Sequence, residues 1–258
     1  MTVHVEWRPH SGRLAAQVAG HDDAPTMVFV HGFTQTGNAW KQVADEFVRS
    51  GHRCVLVDLP GHGDSSHVRA DLRLAADMVA SVAGAGTYVG YSLGGRVLLH
   101  VALMYPHLVR RLAVIGAHPG IADEAERALR RESDEQLARH LEDIGVEAFL
   151  DEWMAMPLFG GLVPTAADVA DRRRNTVEGL AGSLRMAGTG SQSSLWPRLR
   201  ELNMPVLAMA GEHDSKFVAI AQQLAEAAPY GSFAAIPDAA HAAHLQQPAA
   251  VIDALGNW

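Results

Sequence analysis

Five short apolar runs, each closing on glycine or a polar loop, most constrain what this chain can fold into. They are TMVFVHG (26–32), CVLVDLPGHG (54–63), TYVGYS (87–92), LAVIGAHPG (112–120) and PVLAMAGEHD (205–214). Near-continuous rather than alternating hydrophobicity fits strands buried on both faces, as in a parallel sheet covered by helices. Helical patterns lie between them. Trp40, Val43 and Phe47 recur at helical spacing in AWKQVADEFVRSG, with Gly51 as the stop. LRLAADMVASVAG, LGGRVLLHVALMYP (ended by Pro106), AIAQQLAEAAP and PAAVIDALGNW read the same way. VHVEW and LAAQVAG read as two opening strands and SFAAIP as the last one. The alternation predicts an α/β fold with a doubly wound, mostly parallel sheet.

The strand pattern stops between about 120 and 200. EAERALRRESDEQLARHLEDIG, VEAFLDEWMAM and ADVADRRRNTVEGLAGSLRMAG are charged and helical, without a buried strand. The predicted organisation is a core in two parts, 1–119 and 201–258, with a helical cap inserted at 120–200. The formal net charge of −8 argues against non-specific nucleic-acid binding, although a local arginine cluster still suits a small anionic ligand. The single cysteine, Cys54, excludes an intrachain disulfide and reads as a buried strand residue. The start MTVHVEWRPH carries charges and a proline where a signal peptide has an apolar stretch, and no apolar run approaches a membrane span. A cytoplasmic protein is expected, with no membrane insertion.

Chemistry concentrates at the ends of the apolar runs. Gly90-Tyr91-Ser92-Leu93-Gly94 fits G-x-S-x-G between a strand and a helix, a sharp turn that exposes a serine at a helix N-terminus. Asp214 follows the strand VLAMAG and His241 follows SFAAIP, giving the chain order Ser, Asp, His. In this reading His241 takes the serine proton and Asp214 fixes the imidazole tautomer and stabilises its cation. Glu212 and Asp238 are rival acids and His244 a rival base; Asp214 and His241 are favoured. Backbone N–H groups of Phe33, after His31-Gly32, and of Leu93 make the candidate oxyanion hole. His31, Asp58 and His62 read as structural. The 14 histidines show no H-E-x-x-H or paired Cys/His spacing, so no metal site is expected.

FVHGF, VDLPGHGDS, VGYSLGG, GEHD and the late histidine resemble the α/β-hydrolase superfamily over nearly the whole chain. Within it, GYSLGGR, HPG (118–120), DEWMAMPLF (151–159), LAGSLRMAGTGSQSSLW (180–196), GEHDSKF (211–217) and AHAAH (240–244) resemble the 2-succinyl-6-hydroxy-2,4-cyclohexadiene-1-carboxylate synthases. Ala240 stands where some members have glycine. The resemblance implies an α/β-hydrolase fold and a cofactor-independent lyase of menaquinone biosynthesis. Its substrate carries three carboxylates and loses pyruvate, with Ser92 acting as a base. It also implies substrate contacts from Arg96, Arg130 and one arginine of the run 172–174, Arg172 first, with Tyr91 and Trp153 lining the apolar part of the pocket. Arginine suits the task because its planar fork donates two hydrogen bonds to a carboxylate. Each of these side chains has a plainer alternative: a surface salt bridge for Arg96, solvent-facing charge for Arg130 and Arg172, cap core for Trp153. Two other readings keep the same serine: a carboxylesterase or C–C bond hydrolase using Ser92 as nucleophile, and a receptor that binds without turnover.

Overall fold

The computed structural model describes residues 5–10 and 12–258. Eight strands form one sheet in the order β1-β2-β4-β3-β5-β6-β7-β8. They are β1 (Arg8–His10), β2 (Ala16–Ala19), β3 (Thr26–Val30), β4 (Arg53–Val57), β5 (Gly86–Tyr91), β6 (Val109–Ile115), β7 (Val206–Gly211) and β8 (Gly231–Ile236). β1 and β2 pair antiparallel, β2 joins β4 antiparallel, and every pairing from β4 to β8 is parallel. The opening strand differs from expectation. The part of VHVEW within the described residues is not a strand; Trp7 Nε1 donates to Asp45 Oδ1 at 2.9 Å and ties it to a helix instead. The strand forms one step later, where Arg8 to His10 pair with Ala16 to Val18.

The apolar runs divide residue by residue between two cores, because successive strand side chains point to opposite faces. Val28, Val30, Val55, Val57, Leu112, Val114, Val206 and Ala208 pack on one side. Met27, Phe29, Cys54, Leu56, Ala113, Ile115, Leu207 and Met209 pack on the other. The first face is covered by α2 (Leu72–Ala83), α3 (Leu93–Met104) and α7 (Ser215–Ala227); the second by α1 (Lys41–Arg49), α8 (Ala243–Gln246) and α9 (Pro248–Asn257). Burial on both faces is why these strands have no polar alternation. It also pushes the Cys54 thiol up to about 12, which leaves it an inert core residue.

Between β6 and β7 the chain is helical: α4 (Glu124–Met154), α5 (Ala166–Arg172) and α6 (Val177–Ala187), with short 3₁₀ turns. Asp123 caps α4 by accepting from Glu126 N at 2.8 Å. Gly145, at φ 77°, breaks α4 where the sequence patterns 124–145 and 146–156 meet. Ala138, Leu141 and Phe149 of α4 pack on Leu180, Ala181 and Leu184 of α6, forming an apolar cluster separate from the two sheet cores. Among the described residues no helix is long and apolar enough to cross a membrane.

Candidate active site

The loops that leave β3, β5, β6, β7 and β8 at their carboxyl ends meet under α4 to α6, around a cavity of about 630 Å³. Ser92 stands on the turn from β5 to α3, with φ 49° and ψ −108°. An L-residue held there stores strain, and two features of the sequence hold it. Ser92 N donates to Ile115 O at 2.8 Å. The glycines allow the strand and helix to close on each other: a Cβ on Gly90 would lie 2.7 Å from Gly95 N, and one on Gly94 would run into the Val30 carbonyl.

His241 connects the serine to the acid. Its Nε2 lies 3.3 Å from Ser92 Oγ and its Nδ1 lies 2.7 Å from Asp214 Oδ2. The first distance is long for proton transfer, as is common before a substrate tightens the site. Asp214 caps α7, accepting from Phe217 N at 3.4 Å with its other oxygen, so the helix start aims the carboxylate. Phe217 covers the imidazole, ring centroids 4.5 Å apart. The rivals lie elsewhere. Glu212 accepts from Asp238 N at the surface, and His244 is buried between Trp40 and Tyr91, at 4.5 and 4.3 Å.

Phe33 and Leu93 both line the cavity. Leu93 is the first residue of α3, so its N–H has no partner inside the helix. His31 uses both ring nitrogens on backbone: Nδ1 donates to Gly32 O at 2.8 Å and Nε2 accepts from Leu59 N at 2.9 Å. Burial holds its pKa down at about 4, so it stays neutral. Asp58 accepts from Gly37 N and Asp64 N at 2.7 and 2.9 Å, and His62 Nδ1 donates to Pro60 O. All three pin the loops under the site.

Arg96, Arg130, Arg172, Tyr91 and Trp153 all line this cavity. Arg96 sits one turn beyond Ser92 and is buried; the only hydrogen-bond partner of its guanidinium among the described residues is Gln192 Oε1, 3.4 Å from Nη1. Burial, with Arg130 nearby, lowers its pKa to about 10, which leaves it charged at neutral pH. The run 172–174 is resolved by burial. Arg172 points inward and donates to Thr34 Oγ1, whereas Arg173 pairs with Glu147 and Arg174 with Asp64 and Asp171. Neither Arg96 nor Arg172 forms an ion pair among the described residues. Arg130 is half-exposed, its Nε donating to Asp134 Oδ1 at 2.8 Å. Trp153 belongs to both the wall and the apolar packing, meeting Phe33 edge-on at 5.1 Å.

Three further residues at the site, two on the cavity wall and one behind it, carry no role readable from the sequence. Lys216 lies two residues past Asp214 and lines the wall. His118 also lines it, with Nδ1 accepting from Gly120 N at 3.0 Å; its tautomer therefore places the proton on Nε2. Gln192 backs Arg96. The wall thus carries four cations, Arg96, Arg130, Arg172 and Lys216, and one carboxylate, Asp134. In a chain of net charge −8 this is a local reversal of sign.

A model of the α/β hydrolase fold matches residues 25–248. A 2-succinyl-6-hydroxy-2,4-cyclohexadiene-1-carboxylate synthase from Enterobacter sp. (strain 638) is 35% identical over 247 residues, covering 93% of this chain and 93% of the relative. The chain belongs to the 2-succinyl-6-hydroxy-2,4-cyclohexadiene-1-carboxylate synthase family of α/β hydrolases. The Salmonella agona synthase is 34% identical over 253 residues, 94% of this chain and 97% of the relative. Among solved structures, MenH from S. aureus superposes with a TM-score of 0.85 at 27% identity, covering 94% of this chain and 96% of that one. A thermophilic esterase from Thermogutta terrifontis reaches 0.80 at 22% identity, covering 98% and 97%, and shares the fold. Family membership leaves each residue's role to be argued from the site.

Proposed function

We propose that this protein eliminates pyruvate from 2-succinyl-5-enolpyruvyl-6-hydroxy-3-cyclohexene-1-carboxylate, giving 2-succinyl-6-hydroxy-2,4-cyclohexadiene-1-carboxylate for menaquinone synthesis in the cytoplasm. The observation that carries this reading is the pair of buried guanidiniums, Arg96 and Arg172, without carboxylate partners in the cavity that holds Ser92. A buried cation left unpaired is costly, so such a site fits a ligand that brings the anion. A substrate with three carboxylates supplies it, and the names of relatives that match over nine-tenths of the chain support the same substrate.

In the proposed step Ser92 Oγ takes the proton from the ring carbon bearing the succinyl carbonyl, while its own proton passes to His241 Nε2. Asp214 stabilises the imidazolium. Negative charge collects on the carbonyl oxygen, which the Phe33 and Leu93 N–H groups receive. The electron pair then moves through the ring double bond and breaks the bond to the enolpyruvyl oxygen. The proton on His241 returns through Ser92 to the departing enolate, which leaves as pyruvate. No cofactor enters this step. The helices of residues 120–200 act as a cap: α5 brings Arg172, and α4 brings Arg130 and Trp153.

The test is pyruvate release from freshly generated substrate, with Ser92→Ala protein as the control for spontaneous elimination, beside a panel of aryl esters. Fast release with weak esterase activity supports the lyase. Release no faster than the control, with an acyl-enzyme burst on esters, returns Ser92 to the role of nucleophile.

A further inference from the structure

Thr34 follows Phe33 directly and has φ 67°, a left-handed backbone at a β-branched residue. Such a residue holds that conformation only where its surroundings impose it. Thr34 is completely buried, and the groups on it come from the end of α5 and the connection to α6. Asn175 Nδ2 donates to Thr34 O at 2.7 Å and to Arg172 O at 2.8 Å; Asn175 Oδ1 accepts from Gly63 N at 2.9 Å. Arg172 donates to Thr34 Oγ1. One buried amide therefore joins three segments: the loop after β3 that carries Phe33, the loop after β4, and the end of α5 that carries Arg172. Two neighbours reinforce the joint, since Asp171 Oδ1 accepts from Asn38 Nδ2 at 2.6 Å and Asp171 Oδ2 accepts from Thr36 Oγ1 at 2.5 Å.

We infer that Asn175 is a positioning residue, which holds Thr34 in its left-handed conformation and thereby aims the Phe33 N–H at the developing oxyanion. A peptide rotation at residue 34 turns the neighbouring peptide planes with it, and an oxyanion donor works only when aimed in advance. The same amide binds the Arg172 carbonyl, so the anion-binding arginine and the oxyanion donor share one support. The inference rests on the proposed oxyanion hole but not on the identity of the substrate.

The experiment is a double-mutant cycle between Asn175→Asp and Thr34→Gly. Asn175→Asp keeps the size and the acceptor for Gly63 N but removes both donated bonds. Glycine adopts the left-handed conformation without penalty, so it lowers the demand on Asn175. Two rates are read: kcat for pyruvate release, and phosphonylation of Ser92 by an alkyl fluorophosphonate. The second uses the serine and the oxyanion hole without the native substrate, so it decides the inference even where the lyase reading fails. The expected result is a 10- to 100-fold loss in both rates for Asn175→Asp, below the roughly 10²–10³ for deleting an oxyanion donor outright. In the Thr34→Gly background the same substitution costs less than about fivefold. Equal losses in both backgrounds make Asn175 a general stabiliser and overturn the inference, as does a variant with wild-type rates. Asn175→Ser, which also removes both donated bonds, runs the same cycle where the aspartate variant does not fold.

Discussion

Arg96→Met separates stability from function by sign. In the free protein Arg96 is a buried cation with one long hydrogen bond to a neutral amide. The fall of its pKa from 12.5 to about 10 corresponds to roughly 3 kcal/mol of disfavoured charge. Methionine fills similar volume without that charge. Against this gain stands the lost bond to Gln192 Oε1, worth about 1 kcal/mol. The net expectation is a stabilisation of about 1–2 kcal/mol, or a Tm higher by roughly 2–8 °C for a chain of this length. Catalysis moves the other way. Losing a desolvated, charge-assisted contact to a carboxylate costs about 2–4 kcal/mol, which lowers kcat/KM roughly 30- to 1,000-fold. Differential scanning calorimetry and pyruvate release on the same preparation read both effects. A variant with lower Tm and unchanged kcat/KM would refute the reasoning, because Arg96 would then be a structural side chain.

Ser92→Ala is expected to lose about a thousandfold or more in kcat, as for residues acting as a unit, with its circular dichroism unchanged; near-wild-type turnover removes the serine from the mechanism. Arg172→Ala should raise KM at least about tenfold and Arg173→Ala leave it within about twofold, since only the first faces the cavity; equal effects contradict that division. Acid should destabilise the fold through His31 and His62, held by burial at about 4 and about 3. Below the unfolded value of 6.5 the unfolded chain takes up protons that the folded one refuses. This stability is therefore complete above pH 6.5 and falls as pH drops towards 4, by up to about 1.4 kcal/mol per pH unit for each histidine. Urea unfolding at pH 7.5 and pH 5 measures the slope, and His62→Gln should reduce it; a flat profile in wild type counts against buried neutral imidazoles.

What was legible in the sequence follows from where physics leaves a local trace. A strand buried on both faces must be apolar throughout, so β3 to β7 stood out, and the glycines around Ser92 are demanded by backbone contact at Gly90 and Gly94. The boundary at Trp7 was not legible, because its bond to Asp45 spans 38 residues and leaves no periodic mark. The arginine run shows the same limit: three adjacent, identical residues carry no local physical signal that Arg172 turns inward while Arg173 and Arg174 find carboxylates, and only the family resemblance puts Arg172 first. Asn175 leaves no local mark either, since its partners come from loops 141 and 112 positions away.

These non-local contacts bear on how one serine turn serves unlike reactions. Acyl transfer and elimination both place charge on a carbonyl oxygen, so Ser92, His241 and the N–H groups of Phe33 and Leu93 suit either. The difference must come from what the cavity holds beside them, and the wall here adds four cations and one carboxylate to its apolar surface, where an ester pocket is commonly apolar. A wall of that sign penalises a neutral ester, which leaves buried guanidiniums unpaired, and favours a polycarboxylate. It follows that neutralising the wall should narrow the gap between the two activities from both sides. The Arg96→Met protein should lose elimination while gaining hydrolysis of neutral aryl esters by a few-fold, as roughly expected when a desolvated charge is removed from a pocket that must take an apolar group. Loss of both activities together would place Arg96 in support of Ser92 rather than in selection of the substrate.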